Sequence, residues 1–315
     1  MDDFISPAAD LTGTVVKESD HPVARGGYSK IYLGVYTPLD AQSTPVQVGI
    51  KVLNTHGDLD IQIKIRRRLR REVSNWRQLD HPGIAKFLGF SMNFDGTFPA
   101  IISIWYPNGD ARRYLLQHPN ADRTKLLDEV ASALVYLHGL RTPLVHGDIK
   151  AKNVFIKDNG DACLGDLGLS RLLQEESTGD TTTTSSGTCR WMAPELIIGE
   201  NDESIPRVTK ATDVYGFGCL ALEISTGEIP WEAIRSNLVV TVRLFQGGTP
   251  PRPKGEVASR ELDDDLWELI QTCWRGDPSQ RPNITFVRAG LRSIRQRRCD
   301  PVRGVPVLSY GSDTR

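Results

Sequence analysis

The chain has 315 residues, 38 Lys and Arg against 39 Asp and Glu, a formal net charge of -1, and 39% hydrophobic residues. That length supports a sizeable core, and the balanced charge gives no global field to attract nucleic acid or an anionic membrane. No apolar run reaches the 18 residues of a membrane span, and the start, MDDFISPAAD, is acidic and unlike a signal peptide. Five scattered cysteines with no CxxC pair suit free thiols in a reducing compartment, cytoplasmic or nuclear.

In chain order, β-branched and aromatic runs at 31–36 and 46–53, separated by turn residues, predict strands. A helix is expected from about 61 to 79. After about Asn108 helices take over. Leu127, Val130, Leu134 and Leu137 share one face of a helix that Gly139 should end. Further helices are expected near 210–226, 262–274 and 283–297. This is an α+β chain: a small β-rich lobe (about 12–106) and a larger helical lobe (about 107–297), hinged near Pro107-Asn108-Gly109. An extension (1–11) and a tail (298–315) rich in Gly, Pro, Ser and Arg flank them.

The segment LVHGDIKAKNVFI (144–156) resembles the H-R-D-L-K-x-x-N catalytic loop of protein kinases, with Gly147 in place of the arginine. Lys51 ends Val48-Gly49-Ile50-Lys51, which is similar to the V-A-I-K strand. Glu72 lies on the helix where that family's pairing glutamate belongs, and Leu164-Gly165-Asp166-Leu167-Gly168 resembles the D-F-G segment. GTCRWMAPE (187–195), Asp213-Val214-Tyr215-Gly216-Phe217-Gly218 and Arg281-Pro282 extend the resemblance over about residues 12–297. Their style is closest to the tyrosine-kinase-like branch of serine/threonine kinases. Taken alone, Lys51 reads as a solvated surface lysine and Glu72 as a partner of the neighbouring arginines. The ordered series Lys51, Glu72, Asp148, Asn153, Asp166 is what carries the resemblance.

The resemblance implies a bilobal fold, an antiparallel sheet with one main helix over a helical lobe, and transfer of the ATP γ-phosphate to Ser/Thr hydroxyls of protein substrates with Mg²⁺. It implies no nucleic acid partner and no membrane insertion. Asp148 would be the base, Lys150 would steady the phosphate, and Lys51 held by Glu72 would take the α/β-phosphates. Asn153 and Asp166 would bind the metal. The nucleotide would lie among Ala24, Gly26, Gly27, Ile31, Gly49, Ser103, Ile104, Tyr106, Asp110 and Phe155. Thr188 should help fix the catalytic loop, Asp213 should support it from below, and Arg281 should pair with Glu195.

Departures matter. The glycine loop, Ala24-Arg25-Gly26-Gly27-Tyr28-Ser29, keeps only its middle glycine in register. Small Gly49 is expected to offset bulky Phe155 across the adenine slot. Gly147 removes the arginine that would bind an activation-loop phosphate, so activity should not depend on phosphorylation of residues 181–186. The arginines at 66, 67, 68, 70 and 71 read as a solvated face, a substitute phosphate partner or a docking site for an acidic partner. His146 should pack rather than act as a base. Cys163 is either a reactive thiol or a buried one, and no basic neighbour favours the first. Two further readings compete: a pseudokinase scaffold, which fits the poor glycine loop, and a small-molecule phosphotransferase sharing H-G-D-x-x-x-x-N. The latter class lacks the GTxRWMAPE closure and the DVYGFG helix.

Overall fold

A computed structural model describes residues 10–25, 29–40, 42–53, 76–92, 94, 99–167, 188–198 and 207–299. The strands are β1 (Val15–Lys17), β2 (Ala24–Arg25), β3 (Ser29–Tyr36), β4 (Val46–Leu53), β5 (Phe87–Ser91) and β6 (Ala100–Ile104). They form one antiparallel sheet in the order β1-β3-β4-β6-β5, with β2 on β3. Alternation sorts its side chains into two cores. Ile50, Val48 and Ile102 join Leu11, Val15 and Tyr32 on one face. Leu53, Phe90 and Ile101 point the other way, into the core of the helical lobe.

That lobe contains α1 (Ala111–Gln117), α2 (Arg123–Gly139), α3 (Glu195–Ile198), α4 (Lys210–Thr226), α5 (Asn237–Phe245), α6 (Glu256–Glu261), α7 (Asp264–Cys273) and α8 (Ile284–Cys299). The hairpin β7 (Val154–Ile156) and β8 (Ala162–Leu164) lies against the sheet lobe. Leu164 N–H donates to Gly83 C=O at 2.8 Å, and Ala85 N–H donates back to Leu164 C=O at 2.9 Å.

The expected boundaries follow from local chemistry. Helix α2 starts where the Asp122 side chain accepts from Lys125 N–H and ends at Gly139. Helix α4 starts at the Thr209–Thr212 capping box and stops at Gly227 in the left-handed conformation. Helix α7 begins after Asp263, whose carboxylate caps Leu266 N–H, two residues later than the apolar pattern suggested. Most of the helix expected at 61–79 falls outside the described residues; Trp76 is helical. Helix α4 is buried from Thr212 to Thr226, so it is the axle of the lobe.

Glu195 and Arg281 pair in bidentate fashion, with Nη1–Oε1 at 2.6 Å and Nη2–Oε2 at 2.8 Å. The guanidinium also donates to Arg275 C=O and Ala211 C=O and lies over the Tyr215 ring. Removing one partner leaves the other charge stranded. Arg281→Ala is expected to lower unfolding free energy by about 3–5 kcal/mol. Urea denaturation of both single variants and the double should give clearly less than additive losses.

Candidate active site

The β3–β4 register sets Ile31 opposite Lys51, and alternation turns Lys51 to the face of the sheet opposite Ile50 and Val52, toward the helical lobe. Its Nζ lies 2.8 Å from Asp166 Oδ1, with side chains only 13% and 23% exposed. A solvated surface lysine is thereby excluded. Asp166 follows β8 at φ 57°, a left-handed backbone unusual for a non-glycine residue. The preceding Gly165 N–H donates to Asn153 C=O at 2.8 Å, which ties Asp166 to the end of the catalytic loop. Glu72, the expected partner of Lys51, lies outside the described residues.

The catalytic loop is held by a web of short bonds. Asp148 N–H donates to His146 Nδ1, and Asn153 Nδ2 donates to both Asp148 C=O (2.7 Å) and Oδ2 (2.9 Å). Lys150 Nζ sits 2.8 Å from Asp148 Oδ1 and 3.4 Å from Thr188 Oγ1. With Nδ1 accepting, the His146 ring carries its proton on Nε2 and gives it to Gly165 C=O at 2.9 Å. His146 is fully buried, which suits packing and not proton transfer. Below it, Asp213 accepts from His146 N–H, Gly147 N–H and His138 Nε2, each at 2.8 Å.

Gly147 now has a second explanation. Its φ is 76°, and an added Cβ would meet Val208 Cγ1 at 3.2 Å. Glycine adopts this backbone without the penalty an L-residue incurs. The loss of the arginine thus coincides with relief of backbone strain.

The cleft between the lobes is lined by Ile31, Gly49, Lys51, Ser103, Ile104, Tyr106, Phe155 and Asp166, together with Trp76, Ile84, Phe87 and Leu167. Tyr106 N–H donates to no acceptor among the described residues. The Tyr106 ring stacks on Phe155, with centroids 5.8 Å apart. Its hydroxyl accepts from Lys86 N–H and bonds the Cys163 thiol, and burial pushes its pKa up. Burial likewise raises the Cys163 thiol to about 11. Cys163 is therefore an inert buried thiol. Asp110 accepts from Arg113 N–H as the cap of α1, outside the cleft lining, and exposed Ala24 pairs with Ile31 at the sheet edge. Gly26 and Gly27 lie outside the described residues, as do the arginines at 66, 67, 68, 70 and 71 and the hydroxyls at 181–186.

Gly49 and Phe155 both line the cleft, and the glycine in direct contact with the Phe155 ring is a different one. A Cβ on Gly49 would make ordinary contacts with Ser103 and Trp105 at 3.6 Å. A Cβ on Gly165 would meet Phe155 Cε2 at 2.6 Å. The residue that makes room for Phe155 is thus Gly165, ten positions along and across the β7–β8 hairpin. Sequence reasoning passed over it, although a glycine directly before the D-L-G aspartate was the available signal. It also missed Trp76, Ile84 and Phe87 in the cleft lining, which no motif marks.

The chain matches the protein tyrosine and serine/threonine kinase family over residues 18–291. It belongs to that family. Among curated relatives, the L-type lectin-domain containing receptor kinase S.1 of Arabidopsis thaliana is 27% identical over 286 residues, covering 86% of this chain and 40% of its own length. The probable serine/threonine-protein kinase drkB of Dictyostelium discoideum is 26% identical, covering 89% and 37%. The receptor-interacting serine/threonine-protein kinase 3 of Rattus norvegicus is 27% identical, covering 87% and 55%. The chain thus spans less than two thirds of the length of these relatives.

Two outcomes are expected at this kinase site. Gly165→Ala should weaken nucleotide binding more than Gly49→Ala does, and Phe155→Val on the Gly165→Ala background should restore it; titration calorimetry with an ATP analogue reads both. Gly147→Ala should lower stability by about 1–2 kcal/mol in urea denaturation, the cost of a left-handed L-residue. In a third measurement, iodoacetamide at pH 8 should label exposed Cys299 while buried Cys163, Cys219 and Cys273 resist until the protein unfolds, as mass spectrometry would report.

Proposed function

We propose that the chain is an ATP- and Mg²⁺-dependent serine/threonine protein kinase of the tyrosine-kinase-like branch. The observation that carries this reading is the Lys51–Asp166 ion pair, formed across 115 positions of sequence in the lining of the cleft, with Asp166 tied through Gly165 to Asn153, which donates to Asp148. The donor set fits one hard cation. Among the described residues, no group of three or more His, Cys, Asp or Glu gathers as a metal site. The available ligands are Asp166 and the side-chain oxygen of Asn153, whose nitrogen is committed to Asp148. Two protein oxygens with the rest supplied by phosphate and water suit Mg²⁺. When bound, Mg-ATP would supply the phosphoryl group and neutralise its charge.

The residues then divide the work. Lys51 offers a cation to the phosphates. Asp148, oriented by Asn153 and by its own N–H on His146, accepts the proton of the acceptor hydroxyl. Lys150, within reach of Asp148 and Thr188, steadies the phosphate in transit. A lysine two positions after the base, together with relatives named serine/threonine kinases, supports Ser/Thr acceptors in protein substrates. Buried free thiols support a reducing compartment, cytoplasmic or nuclear.

Purified protein incubated with γ-labelled ATP and Mg²⁺ should incorporate label on Ser and Thr in phosphoamino-acid analysis. Asp148→Asn should lose at least about 100-fold, the scale of general-base catalysis. Nucleotide-dependent thermal stabilisation with no incorporation would replace this reading with that of a pseudokinase.

A further inference from the structure

The reaction proposed above brings an acceptor polypeptide to Asp148, so the charges around the catalytic loop decide which polypeptides approach. Of the two lysines in that loop, Lys150 engages Asp148 at 2.8 Å. Lys152, two positions on, is exposed in the middle of the 3₁₀ turn Ala151–Asn153, between two buried neighbours. It makes no ion pair or hydrogen bond among the described residues.

Helix α1 adds a second cation beside the same turn. Ile156 N–H donates to Gly109 C=O at 2.9 Å and Asp110 bridges Phe155, so α1 begins against the strand that leaves the loop. Arg112, in its first turn, is half-buried and likewise makes no ion pair among the described residues. It is close enough to stabilise the charge of Glu223, buried in α4, whose Oε2 accepts from Ala151 N–H at 3.0 Å and Trp191 Nε1–H at 2.9 Å. Neither Lys152 nor Arg112 belongs to the lining of the nucleotide cleft.

The acids at this turn are already engaged. Asp148 serves Lys150 and Asn153, Glu223 holds its two donors, and Asp110 caps α1 through Arg113 N–H. The rim on this side of the loop is therefore cationic, and a basic side chain brought there meets like charge. In an extended peptide a residue two or three positions from the acceptor lies about 7–10 Å from it. Lys152 stands four positions from Asp148 on the same loop.

We propose that Lys152, seconded by Arg112, is a specificity-determining residue that selects acceptor polypeptides with a negatively charged side chain within two or three residues of the phosphorylated Ser or Thr. This rests on the kinase reading. The charge is that of Asp, Glu or a previously phosphorylated residue, and the test separates these sources. Four peptides of one sequence carry Glu, Gln, Lys or phosphoserine around a single acceptor serine. With the full chain, kcat/KM should favour the Glu peptide over the Lys peptide by roughly tenfold or more, a ratio that shrinks in high salt. A phosphoserine peptide well above the Glu peptide identifies previously phosphorylated substrates; parity or less identifies acidic ones.

Lys152→Glu should cut the Glu-to-Lys ratio by roughly tenfold and Arg112→Ala by about threefold, the scale of exposed charge pairs, while Lys152→Ala keeps the Gln peptide within about threefold of the parent. Each ratio compares two peptides on one enzyme, so any change in nucleotide handling cancels. A flat or Lys-favouring parent, or an unchanged ratio in Lys152→Glu, would overturn the proposal. A parent that labels no peptide and no protein removes the kinase reading instead. Fluorescence anisotropy of labelled Glu and Lys peptides then decides the surface: weaker Glu-peptide binding in Lys152→Glu supports it, and equal binding in both proteins refutes it.

Discussion

Three hydrogen bonds converge on the buried carboxylate of Asp213, and the rest of the site hangs from them. Placed in the first turn of α4, this side chain sits where the helix dipole favours a negative charge. Its donors are the N–H groups of His146 and Gly147 and the His138 ring of α2. Charge-assisted bonds of this kind are the strong ones in a folded protein. They turn a loop, otherwise free to wander, into a rigid attachment of the central helix. His146 then passes the order upward, through Gly165 C=O, to the residue before Asp166. From the axle of the helical lobe to the ion pair with the sheet lobe, each step is one hydrogen bond or one peptide unit long.

The same economy governs the cleft. Its upper wall is a strand whose alternate residues, Val48, Ile50 and Val52, are locked in a core of their own, so Gly49 and Lys51 face the opposite side. Its floor is a hairpin in which Phe155 is wedged between the Tyr106 ring and Gly165. Tyr106 in turn is pinned by Lys86 N–H and the Cys163 thiol. The two walls meet through the Lys51–Asp166 pair, the Ile84–Leu164 bridge and the core that Leu53, Phe90 and Ile101 share with the hairpin.

Much of this was readable from the chain alone, for identifiable reasons. Helices α2 and α4 end where the sequence suggested, because Gly139, Gly227 and the Thr209–Thr212 pair carry their boundary chemistry locally. Strand β4 coincides with its β-branched run. The ionic residues were legible because their types and spacing are dictated by chemistry that tolerates few alternatives. What escaped notice depends on non-local packing. Nothing in the linear chain says that Gly165 yields space to Phe155, since that requires the pitch of the β7–β8 hairpin. Nor does a glutamate in an apolar helix announce that its partners are an amide 72 residues earlier and an indole 32 earlier. Gly147 was read as a missing phosphate partner, whereas its positive φ is a backbone property that one-letter comparison cannot carry.

The Lys51–Asp166 pair has a thermodynamic consequence of its own. A cation and an anion already in contact must exchange partners when a polyanion and a divalent ion arrive together. Nucleotide without metal meets Lys51 still engaged by a carboxylate, and metal without nucleotide meets a carboxylate still engaged by an ammonium. Under the proposed Mg-ATP reading, each ligand alone would work against the resident contact, while both together would replace it. The affinities of the two proposed ligands would consequently be linked, each raising that of the other by the same factor.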